Sequence, residues 1–216
     1  MFAPPCATAV PVLAAPTFDL VVVAASLGGR EVLEQLLARL PADFPAPVLV
    51  VQHVGDHGPS HLPELLARRT GRRVRHAAAG ERPRAGVVYV APPGHHLAFD
   101  ADGRCALRDG PRVNFARPAA DVLFESAAAA FGARTLGVVL TGRLCDGAAG
   151  AEAIRRAGGV VLVQEPASCR APDMPLAVLQ RGAAHLALPP AGLASALASL
   201  AVPGVPALCG LGARAA

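Results

Sequence analysis

Three residues in this chain carry the chemistry of nucleophilic hydrolysis, and each stands just past a run that reads as a buried strand: Ser26, His53 and Asp146. A serine hydroxyl is a weak nucleophile until a histidine takes its proton. The histidine in turn needs a carboxylate to fix its tautomer and stabilise the imidazolium. Open α/β sheets gather their sites in the crevice beyond the carboxyl ends of their strands. Three strand ends offering Ser, His and Asp therefore form a candidate triad, in an order that is no objection because triads are recognised by geometry. Each residue also has a plainer reading. Ser26 could cap the helix after Gly28, His53 could be a satisfied core histidine, and Asp146 could cap a helix opening at Gly147. The Gly28–Gly29 turn could equally cradle a phosphate.

The elements that must position these residues follow from apolar periodicity. Asp19–Ala25 is a short Val-rich run bounded by the glycine pair, as expected of a central parallel strand covered on both faces. Gly29–Leu40 places Val32, Leu33, Leu36, Leu37 and Leu40 on one helical face, and Pro41 closes it. The order continues with a strand at Pro47–Gln52, a helix at Pro59–Arg69, strands at Val74 and Val87–Val90, and a hairpin from Leu97 to Leu107 turning at Asp102–Gly103. Then come a helix at Pro118–Phe131, a strand at Thr135–Leu140, a helix at Gly147–Ala157 and a strand at Val160–Val163. A short helix at Pro175–Arg181, a strand at Ala184–Leu188 and one helix after Pro189 complete the series. This alternation predicts an α/β fold: a doubly wound, mostly parallel sheet flanked by helices, with an inserted β-hairpin. Residues 1–17 read as a flexible leader, 18–200 as one domain, and 201–216 as an irregular tail.

Composition narrows the chemistry. The chain has 216 residues, 53% hydrophobic and 17% charged, which suits one globular domain. All 20 basic residues are arginine, and without lysine neither a P-loop nor a Schiff-base mechanism is open. Five cysteines without a C-x-x-C pair suggest neither a disulfide framework nor a zinc site, and fit the cytoplasm. Cys145, beside Asp146, could be a reactive thiol but reads rather as a small packed residue. His53, His57 and His61 are spaced like ligands on a helix, but Gly55, Gly58 and Pro59 break any such helix, so no metal is expected. The arginines between Arg68 and Arg84 are either a solvated face or a dock for an acidic partner. A net charge of +4 with 4% aromatics argues against nucleic acid. No unbroken run of ~20 apolar residues predicts membrane insertion.

Taken together, six ordered stretches resemble the catalytic domain of the chemotaxis protein-glutamate methylesterase (CheB) family. Val23–Gly29 resembles its G-A-S-T-G-G stretch, Val51–Val54 its Q-H block, and Tyr89–Pro92 with His96 its segment ending P-G-x-x-H. Asn114, Arg117–Pro118 and Asp121–Phe124 resemble N-x-x-R-P-S-V-D-x-L-F. Leu140–Gly142 with Asp146–Gly147 resembles L-T-G-M-G-x-D-G-A, and Gln164–Glu165 with Met174–Pro175 the Q-D to G-M-P block. The resemblance implies a serine hydrolase with Ser26, His53 and Asp146 as its triad and Leu27, Gly28, His96, Arg143 and Met174 around the substrate and oxyanion. It implies no cofactor. The implied substrate is a methylated glutamate, or in some members a glutamine, on the cytoplasmic domain of a chemoreceptor. The family commonly carries a gating receiver domain that this length leaves no room for, so a separate regulatory protein is expected.

The chain departs from the family pattern at Leu27, where threonine is usual, and at Arg143–Leu144, which replace Met-Gly. Leu144 is expected to strain a turn that glycine takes freely. These departures motivate an alternative expectation, a receptor-binding module of weakened catalysis.

Overall fold

The structure, a computed structural model, describes residues 18–53 and 60–201. Seven strands form one parallel sheet: β1 (Leu20–Ala25), β2 (Val48–Gln52), β3 (Arg73–His76), β4 (Val87–Val90), β7 (Thr135–Val139), β8 (Val160–Gln164) and β9 (Leu186–Leu188). A separate antiparallel hairpin holds β5 (His96–Phe99) and β6 (Cys105–Arg108). Six α-helices accompany them: α1 (Gly29–Arg39), α2 (Leu62–Thr70), α3 (Ala120–Phe131), α4 (Ala148–Arg156), α5 (Asp173–Gln180) and α6 (Pro190–Ala201). The sheet order β3-β4-β2-β1-β7-β8-β9 puts β1 at the centre. The chain winds outward from β1 in one direction and then returns to β7 on its other side. The crevice beyond β1 and β7 is therefore the topological switch point, where open sheets bind ligands.

Both faces of the sheet are covered, so β1 can be apolar along its whole length. Val21, Val23 and Ala25 pack towards α1, α2 and α6; Leu20, Val22 and Ala24 pack towards α3, α4, α5 and the hairpin. Every residue of β1 is at most 1% exposed. Burying each such Val is worth about 1.5–3 kcal/mol, which makes the central strand the least negotiable part of the chain.

The alternation read from the sequence is realised with small shifts. The helix expected from Pro59 begins at Leu62, and the helix expected from Pro118 begins at Ala120. The final helix reaches Ala201, one residue past the expected domain boundary. Single 3-10 turns at Gly132–Arg134 and Pro166–Ser168 had no signature. The hairpin turns where Asp102–Gly103 indicated. The Asp100 carboxylate accepts the N–H groups of Asp102 and Arg104 there, and Gly103 takes φ 72°. The expected leader (1–17) lies outside the described residues, and of the expected tail (201–216) only Ala201 is described. No helix among the described residues is long and apolar enough to cross a membrane.

Several arginines of the 68–84 stretch have structural work. Arg72 donates to the carbonyls of Leu37, Leu40 and Pro41 at the end of α1. Arg75 pairs with Glu81 and lies 4.7 Å over the Tyr89 ring. Arg82 donates to Asp102 O.

Helices α3 and α4 make the tightest helix contact, and Gly150 is its pivot. A Cβ there would collide with Phe124 Cβ and lie 3.2 Å from Asp121 Cα. Gly150→Ala is expected to cost about 1–3 kcal/mol through overpacking, read as a lower urea midpoint at unchanged slope. An unshifted midpoint would show that the helices part freely at this point.

Candidate active site

Ser26 and His53 become neighbours through strand register. Parallel pairing of β1 with β2 ends at Ala25 opposite Gln52, and His53 N–H donates to Ala25 O at 2.9 Å. Ser26 and His53 are the next residues along, so the register leaves them at the ends of adjacent strands. The Gln52 side chain ties them together: its Nε2 donates to Ser26 O at 2.9 Å and to His53 O at 3.1 Å. Ser26 does not cap α1. The N-cap is Gly28, which has no side-chain cap bond. The Ser26 hydroxyl makes no hydrogen bond among the described residues.

Asp146 arrives from the other side of β1, at the end of the loop after β7. Its carboxylate is 1% exposed and takes five donors. Oδ2 accepts Ala120 N–H at 2.6 Å and lies 2.7 Å from His53 Nε2. Oδ1 accepts the N–H groups of Asp121 and Gly147, each at 3.0 Å, and the Asn114 amide at 3.1 Å. Burial opposes ionisation here, but the hydrogen bond from His53 and those from Ala120 and Asp121 outweigh it and hold the carboxyl below its ordinary value. The expected cap on the helix opening at Gly147 is not what Asp146 provides. Asp146 caps the first turn of α3, a helix distant in sequence, while α4 has Gly147 as its own N-cap. An ionised Asp146 facing Nε2 fixes the proton on that nitrogen and leaves Nδ1 with the lone pair.

Of the three residues, the structure joins His53 to Asp146 by a hydrogen bond and sets Ser26 beside His53 without one. The surrounding expectations divide. Gly142 lies against Ser26: a Cβ there would be 2.7 Å from Ser26 Cβ and would collide with Met174 Sδ. Met174 is fully buried, and its N–H donates to Gly142 O at 3.0 Å. Gly28 takes φ 81° under the stem of Arg170, whose Cβ is 2.7 Å from where a side chain would start. Gly29 N–H is committed to Ser26 O at 2.9 Å, one amide fewer for a phosphate cradle. Leu27 is 37% exposed, and Arg143 is exposed on the rim. Neither the Leu27 nor the Arg143 N–H has an acceptor among the described residues. Leu27 is held by Thr141, whose hydroxyl sits 3.0 Å from both Leu27 O and Ala171 O.

His96 is the correction. It is 4% exposed, and both nitrogens are used internally: Nδ1 accepts Ala119 N–H at 3.1 Å, and Nε2 donates to Pro111 O at 3.0 Å. It braces the start of α3, whose next N–H groups hold Asp146, and does not face a substrate. The residues whose roles escaped the sequence are Gln52, Asn114 and Asp121. All three lay in stretches singled out for the resemblance, but only long-range contact reveals what they hold. The strain expected at Leu144 is realised as φ 66°, with the side chain 55% exposed and turned to solvent.

Two outcomes test this geometry. The lowered native pKa of Asp146 means that its ionised form contributes stability above an unfolded value of about 3.9, lost as pH falls through the native value. Asp146→Asn should cost about 1.5–3 kcal/mol at neutral pH, and the gap to the parent should narrow below about pH 4. A gap of equal size at both pH values would contradict the charge-assisted bonding. Leu144→Gly should raise stability by about 1 kcal/mol by removing left-handed strain; a loss on urea titration would mean the leucine side chain packs more than its exposure indicates.

The comparisons agree with this architecture. The CheB methylesterase family model matches residues 21–197. The chain is 44% identical over 178 residues to a protein-glutamate methylesterase/protein-glutamine glutaminase of Symbiobacterium thermophilum, covering 82% of this chain and 49% of that protein. It is 40% identical over 182 residues to the protein-glutamate methylesterase FrzG of Myxococcus xanthus, covering 84% and 54%. The chain thus spans about half the length of these curated relatives. The crystal structure of the Thermotoga maritima CheB methylesterase catalytic domain superposes with a TM-score of 0.81 at 32% identity, covering 85% of this chain and 99% of that one. The chain belongs to the CheB methylesterase family.

Proposed function

We propose that this chain is a cytoplasmic serine esterase that hydrolyses methyl esters of glutamate side chains on chemoreceptor signalling helices, with glutamine deamidation as a second activity. The names of its relatives support the reaction class. The observation that carries the assignment of residues is the part-buried His53–Asp146 pair at 2.7 Å, set one strand away from a serine whose hydroxyl makes no hydrogen bond among the described residues.

In this reading Ser26 Oγ attacks the ester carbonyl while His53 Nδ1 takes its proton. Contacts of this kind are often long without substrate and tighten in the complex. The negative charge that develops on the carbonyl oxygen needs donors already in place, and the uncommitted N–H groups of Leu27 and Arg143 flank the nucleophile. One such donor is worth about 3–4 kcal/mol in the transition state. Collapse of the tetrahedral intermediate breaks the bond to methoxide, which leaves as methanol with the proton from His53. Water then adds to the acyl-serine with His53 again as base, releasing the glutamate carboxylate and restoring Ser26. With glutamine the same acyl-enzyme forms as ammonia departs. Asp146 stays ionised throughout and stabilises the imidazolium.

Ser26→Ala should abolish methanol release from a methylated receptor fragment, dropping kcat by at least about 10³-fold while leaving receptor binding intact. A variant turning over as fast as the parent would remove Ser26 from the reaction.

A further inference from the structure

Behind the pair of His53 and Asp146 lies a second buried carboxylate, which hydrolysis itself does not use. Asp121 is 6% exposed, and its two oxygens are spoken for: Oδ1 accepts Gly150 N–H at 2.7 Å, and Oδ2 accepts Asn114 Nδ2 at 2.6 Å. The same Asn114 nitrogen donates to Asp146 Oδ1 at 3.1 Å. One uncharged amide thus spends its two hydrogens on two buried carboxylates. Without it the two would face each other with one donor fewer apiece. Burial and the neighbouring Asp146 charge already push the Asp121 carboxyl up from its ordinary value.

We infer that Asn114 is a positioning residue for hydrolysis: by bridging Asp121 and Asp146 it fixes the carboxylate rotation that aims Asp146 Oδ2 at His53. The inference rests on the esterase reading above. The division of donors supports it. Oδ1 is held by Asn114 and the N–H groups of Asp121 and Gly147, which leaves Oδ2 to Ala120 N–H and the imidazole. Rotation of the carboxylate would break bonds at both oxygens. The residue type fits as well. A side chain here must donate twice, carry no charge and be short, which asparagine satisfies.

The backbone at this point supplies an independent sign. Val113 and Ala116 exchange both of their backbone hydrogen bonds, at 3.1 and 2.9 Å, around Asn114 at φ 49° and Phe115 at φ 64°. Two consecutive positive φ values are the signature of a type I′ turn, which asparagine enters readily and phenylalanine does not. Phe115 is 81% exposed, so its side chain gains nothing from burial to offset that strain. Strain of this kind persists where surrounding contacts over-determine it, often at working sites. Here the over-determining contact is the Asn114 amide.

Left-handed backbone also supplies the control. Asn114→Gly keeps the turn and deletes the amide, whereas Asn114→Asp keeps the turn and the shape but swaps donors for a third carboxylate. The probe is a fluorophosphonate that acylates Ser26, measured on the full chain. Asn114→Gly should lower the maximal labelling rate by about 10–100-fold with the half-saturating concentration unchanged, and Asn114→Asp should lower it further. Equal rates in parent and Asn114→Gly, or a change confined to half-saturation, would overturn the inference. Failure of the parent to label at Ser26 would instead remove the esterase reading. A measurement on the parent alone covers that case and any variant that does not fold. Both side-chain amide protons of Asn114 should resonate downfield and exchange slowly with water in NMR, and rapid exchange of either would exclude the bridge.

Discussion

A carboxylate buried to 1% exposure cannot be left to itself, and the site is arranged around that constraint. Asp146 must collect donors from wherever the fold can bring them. It takes two N–H groups from the start of α3, one from the start of α4, one amide from a strained turn and one imidazole from the end of β2. Four of the five come from parts of the chain 25 or more residues away. The docking of α3 across the sheet, the brace from His96 and the close approach of α3 to Gly150 all serve to hold those donors in place. Stability and aim are thus the same contacts. Any loosening of α3 both exposes a charge and releases the imidazole.

The helix N-terminus adds a field to the geometry. First-turn N–H groups carry partial positive charge that favours an anion in front of them. Asp146 occupies that position on α3 from outside the helix, and Asp121 sits in the helix's own first turn. Two negative groups therefore share one helix end, which explains why an additional neutral double donor is needed between them.

How far this was legible in the sequence depends on distance along the chain. The central strands were readable because both faces of the sheet are covered, which forces unbroken Val-rich runs such as Leu20–Ala25 and Val48–Gln52. The placement of Ser26 and His53 beyond β1 and β2, and of Asp146 in the loop after β7, was readable because each follows such a run. Helix starts were less legible. Pro118 fixes a local φ, but the helix begins at Ala120, where the donors to Asp146 begin. Asp146 itself resembled a local cap because Asp-Gly-Ala opens a helix in the usual style, yet four of its five partners, two of them on α3, are distant in sequence. His96 was readable as part of a motif but not as a brace, since the Ala119 N–H and Pro111 O that engage it carry no sequence signature. The strain at Leu144 was legible from one substitution of glycine; the strain at Asn114 and Phe115 was not, because no glycine marks the turn.

Gln52 has a consequence of another kind. Its nitrogen fastens the carbonyls of Ser26 and His53 together, but its oxygen is buried with no hydrogen-bond partner among the described residues. An unmet acceptor of this sort costs about 1–3 kcal/mol. The strand end is therefore less comfortable than an apolar residue would leave it, in a sheet that otherwise satisfies itself. The tie between the Ser26 and His53 carbonyls is kept at that local cost. Drift toward greater thermal robustness would erase the glutamine first, and with it the tie between the two strand ends.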